Sequence, residues 1–320
     1  MTERFASIDI GTNSALLLIA EKCALTTHSG IPGGGSLHAA SQMIAVPRVG
    51  RNLAVTGRIS DESFLALSEA LEAFLAEIER HGARLIGAVA TQAFRIAANG
   101  PELLSRVSEM LGCQARIIAG KEESRLGYLA VADLYPPGKE GGGADMAVLD
   151  IGGGSTEVTR AEGGESIPIG AVNLLEAVRF TGAHSDFGPD AAACRVKAAA
   201  AFRGKFTDWR KDTEVIVVGG TATALAMLEL RLPGFDSEAI EGLAISSSRV
   251  SATIDLLASR SESAKLALPG MEKSRADILM PGLCILEAAL AGIGAQRLRV
   301  SDRGVRYGVI IDSLGQNEKD

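Results

Sequence analysis

Two short stretches of the chain join a carboxylate at the end of an apolar run to a small, hydroxyl-rich turn: Ser7-Ile8-Asp9-Ile10-Gly11-Thr12-Asn13-Ser14 and Leu149-Asp150-Ile151-Gly152-Gly153-Gly154-Ser155-Thr156-Glu157. The turns suit phosphate. Glycine lets backbone N–H groups converge in conformations closed to other residues, and Ser or Thr hydroxyls add donors. Gly11, Thr12, Asn13 and Ser14 in the first turn, and Gly153, Gly154, Ser155 and Thr156 in the second, are therefore candidates to hold phosphoryl oxygens. The carboxylates suit a hard cation. Asp9 or Asp150 would repel phosphate by itself, but becomes useful when Mg²⁺, which takes oxygen ligands and keeps several waters, sits between the two. Two such turns imply two half-sites for one phosphoryl chain. Each turn taken singly can equally be an ordinary tight turn, and so can Gly219-Gly220-Thr221-Ala222-Thr223; the reading rests on their combination and order.

The elements that must position these residues follow from the apolar pattern. Phe5 to Ile10 and Ala15 to Glu21 read as two strands flanking the first turn, where a strand followed by a helix would have suggested a different phosphate loop. Thr26 to Ala40, rich in Gly, Ser and His, reads as a loop. Behind an N-cap candidate at Ser60, apolar residues at helical spacing predict a helix from Asp61 to Gly82. Leu85 to Ala90 reads as a strand delivering Thr91-Gln92-Ala93-Phe94-Arg95 at its carboxyl end, the edge where open α/β sheets place ligands. Pro101 to Leu111 is a helix, Ala115 to Ala119 a strand ending at Gly120-Lys121-Glu122-Glu123, and Glu122 to Asp133 a helix closed by a loop from Pro136 to Gly143. Beyond the second turn come a strand and turn over Ser166 to Val172, a helix from Asp190 to Trp209 and a strand from Glu214 to Val218. Mostly helical sequence then runs to Leu290, and Arg297 to Val300 is a last strand. The two halves resemble each other in plan.

A chain of 320 residues with 47% hydrophobic content is long enough for two domains with real cores. Aromatics are only 4%, which fits helices on buried sheets better than a stacking surface for nucleic acid. The net charge is −7 and no block of like basic charge is present, so no sequence-independent nucleic-acid site is expected. Attraction to a polyanion must then be local, with Arg48, Arg51, Arg95, Lys121, Arg125, Arg303 and Arg306 as candidate donors. Cys23, Cys113, Cys194 and Cys284 form no CxxC unit, so free thiols are expected and no zinc site or redox pair. The N-terminus lacks the pattern of a signal peptide, and no apolar segment reaches the length of a membrane span. A soluble, cytoplasmic protein is the expectation.

In combination, the motifs resemble the sugar kinase, heat-shock chaperone and actin superfamily. Within it the chain is similar to the exopolyphosphatase and guanosine pentaphosphate phosphatase family. The resemblance is carried by Asp9 to Ser14, Ala90-Thr91-Gln92-Ala93-Phe94-Arg95, Gly120-Lys121-Glu122-Glu123-Ser124-Arg125-Leu126, Asp150 to Glu157, Pro168-Ile169-Gly170-Ala171-Val172, Gly219 to Thr223, Arg275-Ala276-Asp277-Ile278 and Val300-Ser301-Asp302-Arg303-Gly304. It implies an α/β fold of two ribonuclease-H-like domains with an interdomain active-site cleft. The domains would be 1–124, with a C-terminal helix of about 303–320 packed on it, and 125–302. It implies release of the terminal orthophosphate from polyphosphate or pppGpp, with Mg²⁺ or another hard divalent cation such as Mn²⁺, by a homodimer.

The resemblance also assigns roles. Glu123 matches the catalytic glutamate that positions and deprotonates the attacking water, and a base must lie within hydrogen-bond reach of that water. Glu122 is read as a first-turn acid favoured by the helix dipole. Asp150 and Glu157 match carboxylates around metal and water, and Asp9 the carboxylate of the first turn. Gly220 and Thr221 join the phosphate-binding set. Arg95, at a strand end, either contacts phosphate or closes an ion pair. Hydrolysis of a phosphoanhydride asks for positioning and charge neutralisation, so no Ser, Cys or His nucleophile is required. His28, His38, His81 and His184 lie outside every motif and are read as structural or surface residues.

The chain departs from the family pattern at three places: Asn173 stands where Arg is usual, Ile96 where an acidic residue is usual, and the segment near Gly33 differs. The additional C-terminal helical domains of longer members are missing after Gly304, which suggests shorter substrates. Two rival readings use the same turns. One is an ATP-dependent kinase of the superfamily, which would need an acceptor, and the other a non-catalytic nucleotide-sensing module, which has little use for a general base.

Overall fold

The structure, a computed structural model, describes residues 3–22, 35–136, 145–179, 182, 184–185, 188–206, 209 and 213–317. Residues 26–34 and 137–143 of the two expected loops, together with Cys23 and His28, lie outside the described residues. In chain order the elements are β1 (Arg4–Ile10), β2 (Ala15–Lys22), β3 (Leu37–Ala45), α1 (Leu53–Thr56), α2 (Asp61–Arg80), β4 (Arg84–Ala90), α3 (Gln92–Ile96), α4 (Gly100–Leu111), β5 (Ala115–Ile117) and α5 (Gly120–Leu134). They continue with β6 (Met146–Ile151), β7 (Thr156–Arg160), β8 (Gly163–Ile167), α6 (Ala171–Arg179), β9 (His184–Ser185), β10 (Gly188–Pro189), α7 (Ala191–Phe202), β11 (Glu214–Val218) and α8 (Gly219–Leu230). The last are α9 (Ser237–Ile240), β12 (Ala244–Ser246), α10 (Ser247–Ala258), α11 (Glu262–Leu266), α12 (Leu279–Ile293), β13 (Arg297–Val300) and α13 (Val305–Asn317).

The chain divides into two compact units: residues 1–136, 163–165 and 303–320, and residues 137–162 and 166–302. The whole of α5 stays with the first unit, so the division falls after Pro136 and not at residue 124. The reason is packing: α5 lies against α13 in that unit, and Leu126, Ala130, Val131 and Leu134 on its inner face are buried.

In the first unit five strands form one sheet in the order β3-β2-β1-β4-β5. β1 is antiparallel to β2 and parallel to β4, β2 is antiparallel to β3, and β4 is parallel to β5. α2 starts where its cap dictates, with the Ser60 side chain accepting from the Ser63 N–H. Its Phe64, Leu67, Leu71, Phe74 and Ile78 recur at helical spacing and join the core that covers one face of the sheet. Each such large side chain taken fully from water contributes about 1.5–3 kcal/mol. β3 is a strand where residues 37–40 were expected to continue a loop. Its alternation is weak, and only the ladder with β2 gives it a partner.

The second sheet, which belongs to the second unit except for Gly163–Glu165 of β8, has six strands in the order β12-β13-β11-β6-β7-β8. β6 is antiparallel to β7 and parallel to β11, and β11 is parallel to β13. Set β12 aside, and β8-β7-β6-β11-β13 repeats the topology of β3-β2-β1-β4-β5. The plan read twice in the sequence is thus a duplicated sheet. Its core is dominated by α12, which is apolar on all sides and buried from Leu279 to Leu286. The helix expected over Asp190 to Trp209 ends at Phe202. The short edge strand β12 was read as helix, because three residues pairing with β13 carry no periodic signal.

Candidate active site

The first turn closes the hairpin between β1 and β2. The register pairs Asp9 with Leu16 and Ile10 with Ala15, and the Gly11 N–H donates to the Ser14 carbonyl at 2.9 Å. Residues 48–50 grip the turn through its carbonyls: the Arg48 N–H donates to Asn13 at 3.0 Å and the Gly50 N–H to Thr12 at 2.8 Å. Within a planar trans peptide the N–H points opposite to the C=O, and no cis bond occurs among the described residues. With the Thr12 and Asn13 carbonyls drawn one way, the N–H groups of Asn13 and Ser14 are directed the other. Glycine at 50 permits the approach, since a Cβ there would stand 2.2 Å from Thr12 Cγ2.

The second turn repeats this arrangement in the other unit. Asp150 pairs with Glu157 and Ile151 with Thr156, and the Gly152 N–H donates to the Ser155 carbonyl at 3.0 Å. The start of α6 supplies the grip. The Ala171 N–H donates to Gly152 at 2.9 Å, and the Val172 and Asn173 N–H groups donate to Gly153 at 2.8 and 3.2 Å. Asn173 Nδ2 donates to the Gly154 carbonyl at 2.5 Å. These are the orphan donors of a helix N-terminus, satisfied by the turn itself. All three glycine carbonyls are therefore taken, and the N–H groups of Gly153, Gly154 and Ser155, which make no hydrogen bond among the described residues, are directed away from α6. Consecutive backbone N–H groups presented in this way form an anion-binding concavity. The two loops touch so closely that a Cβ on Gly170 would lie 2.4 Å from Gly153 C and Gly154 N.

The register also fixes the carboxylates. Asp150 and Glu157 are directly opposite each other, so their side chains stand on the same face of the sheet. Glu157 is buried, at 2% exposure, and its Oε1 accepts from Ser166 Oγ at 2.6 Å. Asp150 packs against the backbone of Gly219, whose φ is +83° and where a Cβ would come 2.4 Å from Oδ1. The position equivalent to Glu157 in the first hairpin is Leu16, so Asp9 has no carboxylate across from it. No group of three or more His, Cys, Asp or Glu arranged for a metal occurs among the described residues. The pair Asp150 and Glu157 fits a cation of the Mg²⁺ type, which takes only one or two protein carboxylates and fills the rest of its shell with water and phosphate oxygens.

Glu123 lies in the first turn of α5 with its side chain largely buried. Burial pushes its carboxyl above the usual range, while the hydrogen bond and charge of Arg95 act in the opposite direction. Arg95 Nη1 donates to Glu123 Oε2 at 2.9 Å and to the Ile118 carbonyl at 2.6 Å. The guanidinium is thereby anchored to backbone on one side and orients the carboxylate on the other. Glu122 differs from its neighbour: Arg125 holds it with two hydrogen bonds of 2.9 Å and lowers its pKa.

Residues 33–317 match the Ppx/GppA phosphatase family. The chain belongs to that family. It is similar to the crystal structure of the Aquifex aeolicus Ppx/GppA family member, at 27% identity over 99% of both chains with a TM-score of 0.77. It also matches an exopolyphosphatase from Cytophaga hutchinsonii, at 22% identity over 98% of both chains with a TM-score of 0.80. An exopolyphosphatase-like protein matches at 24% identity and a TM-score of 0.83, over 100% of this chain and 99% of the other. These last two show the fold alone. The fold is that of the actin-like ATPase superfamily, and no helix among the described residues is long and apolar enough to cross a membrane.

Placed on this Ppx/GppA frame, the expected site residues separate into two groups. Gly11 to Ser14 and Gly153 to Ser155 form the turns as expected from their types, and Arg95 meets Glu123. Two hydroxyls have other work. Thr156 Oγ1 donates to the Ile169 carbonyl at 2.6 Å and is fully buried, and Thr221 Oγ1 donates to the Ile151 carbonyl at 3.4 Å. Gly219 to Thr223 is the first part of α8, with the Arg275 guanidinium packed on Gly220, 2.0 Å from where a Cβ would be. Among the candidate cations, Arg303 pairs with Asp133, Arg306 with Gln42, and Arg125 with Glu122 and Asp312, so these three serve the fold of the first unit. Sequence reasoning singled out Pro168 to Val172 and Arg48 but missed that residues 48–50 and 170–173 grip the turns. A signal existed in Gly50 and Gly170, whose close approach no other residue tolerates. Cys113, Cys194 and Cys284 are free thiols.

Proposed function

We propose that the chain is a phosphoanhydride hydrolase that releases terminal orthophosphate from inorganic polyphosphate, of short chain length, or from pppGpp. The observation that carries this reading is Glu123: a buried carboxylate with an elevated pKa, oriented by an arginine that is itself fixed to backbone. A general base is useful when its pKa lies nearer the working pH than that of a solvated carboxylate. In this reading Glu123 takes a proton from water as the water oxygen bonds to the terminal phosphorus. The bridging P–O bond breaks, and the remaining chain leaves with the electron pair. The N–H groups of Asn13, Ser14, Gly153, Gly154 and Ser155 receive phosphoryl oxygens, whose negative charge spreads in the transition state. A divalent cation such as Mg²⁺, held by Asp150 and Glu157, would neutralise phosphoryl charge. Membership of the Ppx/GppA phosphatase family supports the reaction class.

The test is orthophosphate release, with Mg²⁺ and with EDTA, from short polyphosphate, long polyphosphate, pppGpp and ATP, using wild type and Glu123→Gln. The expected result is metal-dependent release that falls by about 10²–10⁴-fold in the variant, with short chains or pppGpp turned over faster than long chains or ATP. Absence of release from all four by the folded protein overturns the reading.

A further inference from the structure

We propose that Asn173 is a positioning residue of the second turn: its side-chain amide fixes the peptide plane between Gly154 and Ser155 and so aims the Ser155 N–H at the anionic oxygen the turn receives. The inference deepens the phosphohydrolase reading above and rests on it for the identity of that oxygen.

The three peptide planes of the turn are not held alike. The plane after Gly152 is fixed by the Ala171 N–H, and the plane after Gly153 by the Val172 and Asn173 N–H groups. These are backbone donors, which any residue but proline supplies. The plane after Gly154 has no backbone donor among the described residues; Asn173 Nδ2, at 2.5 Å from the carbonyl, holds it. Because N–H and C=O are antiparallel within a plane, the direction of the Ser155 N–H depends on a side chain. In the first turn the corresponding grips on Thr12 and Asn13 are both made by backbone. The amide is also fixed at its other end, where Oδ1 accepts from the Gly170 N–H at 2.7 Å. Gly170 precedes α6 and Asn173 is its third residue, so this second bond is the helix-capping half of a capping box. One side chain thus performs two separable tasks, capping α6 with its oxygen and turning the Gly154 carbonyl with its nitrogen.

That separation supplies the test. Asn173→Asp retains the acceptor for Gly170 and places a favourable charge at a helix N-terminus, but when ionised it has no proton to give Gly154. If Asn173 only caps α6, this variant matches wild type. If it positions Ser155, kcat at neutral pH falls by about 10- to 100-fold, the scale of a displaced catalytic contact, at temperatures where the variant remains folded. Relative to wild type, activity then recovers as pH falls and the introduced carboxyl regains a proton that it can donate. Asn173→Ala serves as the uncharged control, with kcat lowered at all pH values. A rise in KM with kcat unchanged in Asn173→Asp, or kcat within twofold of wild type in Asn173→Ala, overturns the inference.

An arm independent of turnover reads the backbone directly. On adding inorganic tripolyphosphate to ¹⁵N-labelled protein, the Gly153, Gly154 and Ser155 amide resonances should shift in wild type, and the Ser155 shift alone should be lost in Asn173→Ala. A wild type that binds tripolyphosphate with this pattern but releases no orthophosphate refutes the hydrolase reading and leaves the Asn173 assignment standing. Equal Ser155 shifts in both proteins do the reverse.

Discussion

Glu123 is held between two opposed influences, and the sign of each can be tested. Burial raises its pKa and Arg95 lowers it. A carboxylate acting as base gives kcat/KM an acid limb that rises through its pKa, so the limb should lie above the ordinary carboxylate range. Arg95→Leu removes the lowering influence and leaves burial, and the limb should move to higher pH; a limb that stays in place would show that Arg95 does not govern Glu123. At this scale the sequence was informative where residue type dictates backbone behaviour. The glycines and small hydroxyl residues marked both turns, and Glu122 and Glu123 were read as inequivalent, as their different partners, Arg125 and Arg95, show them to be. It was uninformative about hydroxyl partners. Thr156 and Thr221 look like phosphate donors in a string of letters, yet each has a main-chain carbonyl within reach once β6, α8 and the loop before α6 are in place. Such pairings, like the ion pair of Arg303 with Asp133, join different elements, from 13 to 170 residues apart in sequence.

α5 carries Glu123, and α13 carries α5. A Cβ on Gly308 would lie 2.1 Å from the Leu126 carbonyl, so the two helices cross at backbone contact, one turn beyond Glu123. Gly308→Ala must push them apart. Such overpacking costs about 1–3 kcal/mol, to be read by denaturant unfolding, and displacement of α5 should lower kcat more than it raises KM. Retention of wild-type kcat would mean that Glu123 does not depend on this crossing. α2, β1, β2, β4 and β11 were legible because each is a long periodic or continuously apolar run with a clear start or stop. β3 and β12 were not. β3 exposes or half-exposes nearly every residue, and β12 has three, so ladder partners and not local pattern make them strands. α7 ends sooner than the helical pattern suggests because the chain turns at Arg203 and Gly204, where the glycine takes a left-handed conformation and is the stop signal that the alanine-rich run obscures.

For the molecule as a whole, the first unit is built from both ends of the chain, with the second unit's residues between them. The closing segment is fastened by more than apolar contact. Arg303 Nη1 lies 2.7 Å from Asp133 Oδ2 with both side chains largely buried, Arg303 Nη2 donates to the Leu37 carbonyl at 3.0 Å, and the Ser36 N–H donates to Asp133. Arg303→Ala leaves the Asp133 carboxylate buried without its cation, at a cost of about 3 kcal/mol. The loss should appear in hydrogen exchange of α5, β1 and β2 and not in β6 or β11; uniform loss across both units would contradict the assignment. The same topology orders events during synthesis. Domains fold largely as they emerge, so the second unit has all its strands once the ribosome has passed Val300. The sheet of the first unit, made long before, must then wait with one face uncovered for Tyr307, Val309 and Ile310. Glu123 gains a rigid support only when translation has reached α13, so a chain terminated before it would carry every residue proposed for catalysis and still be inert.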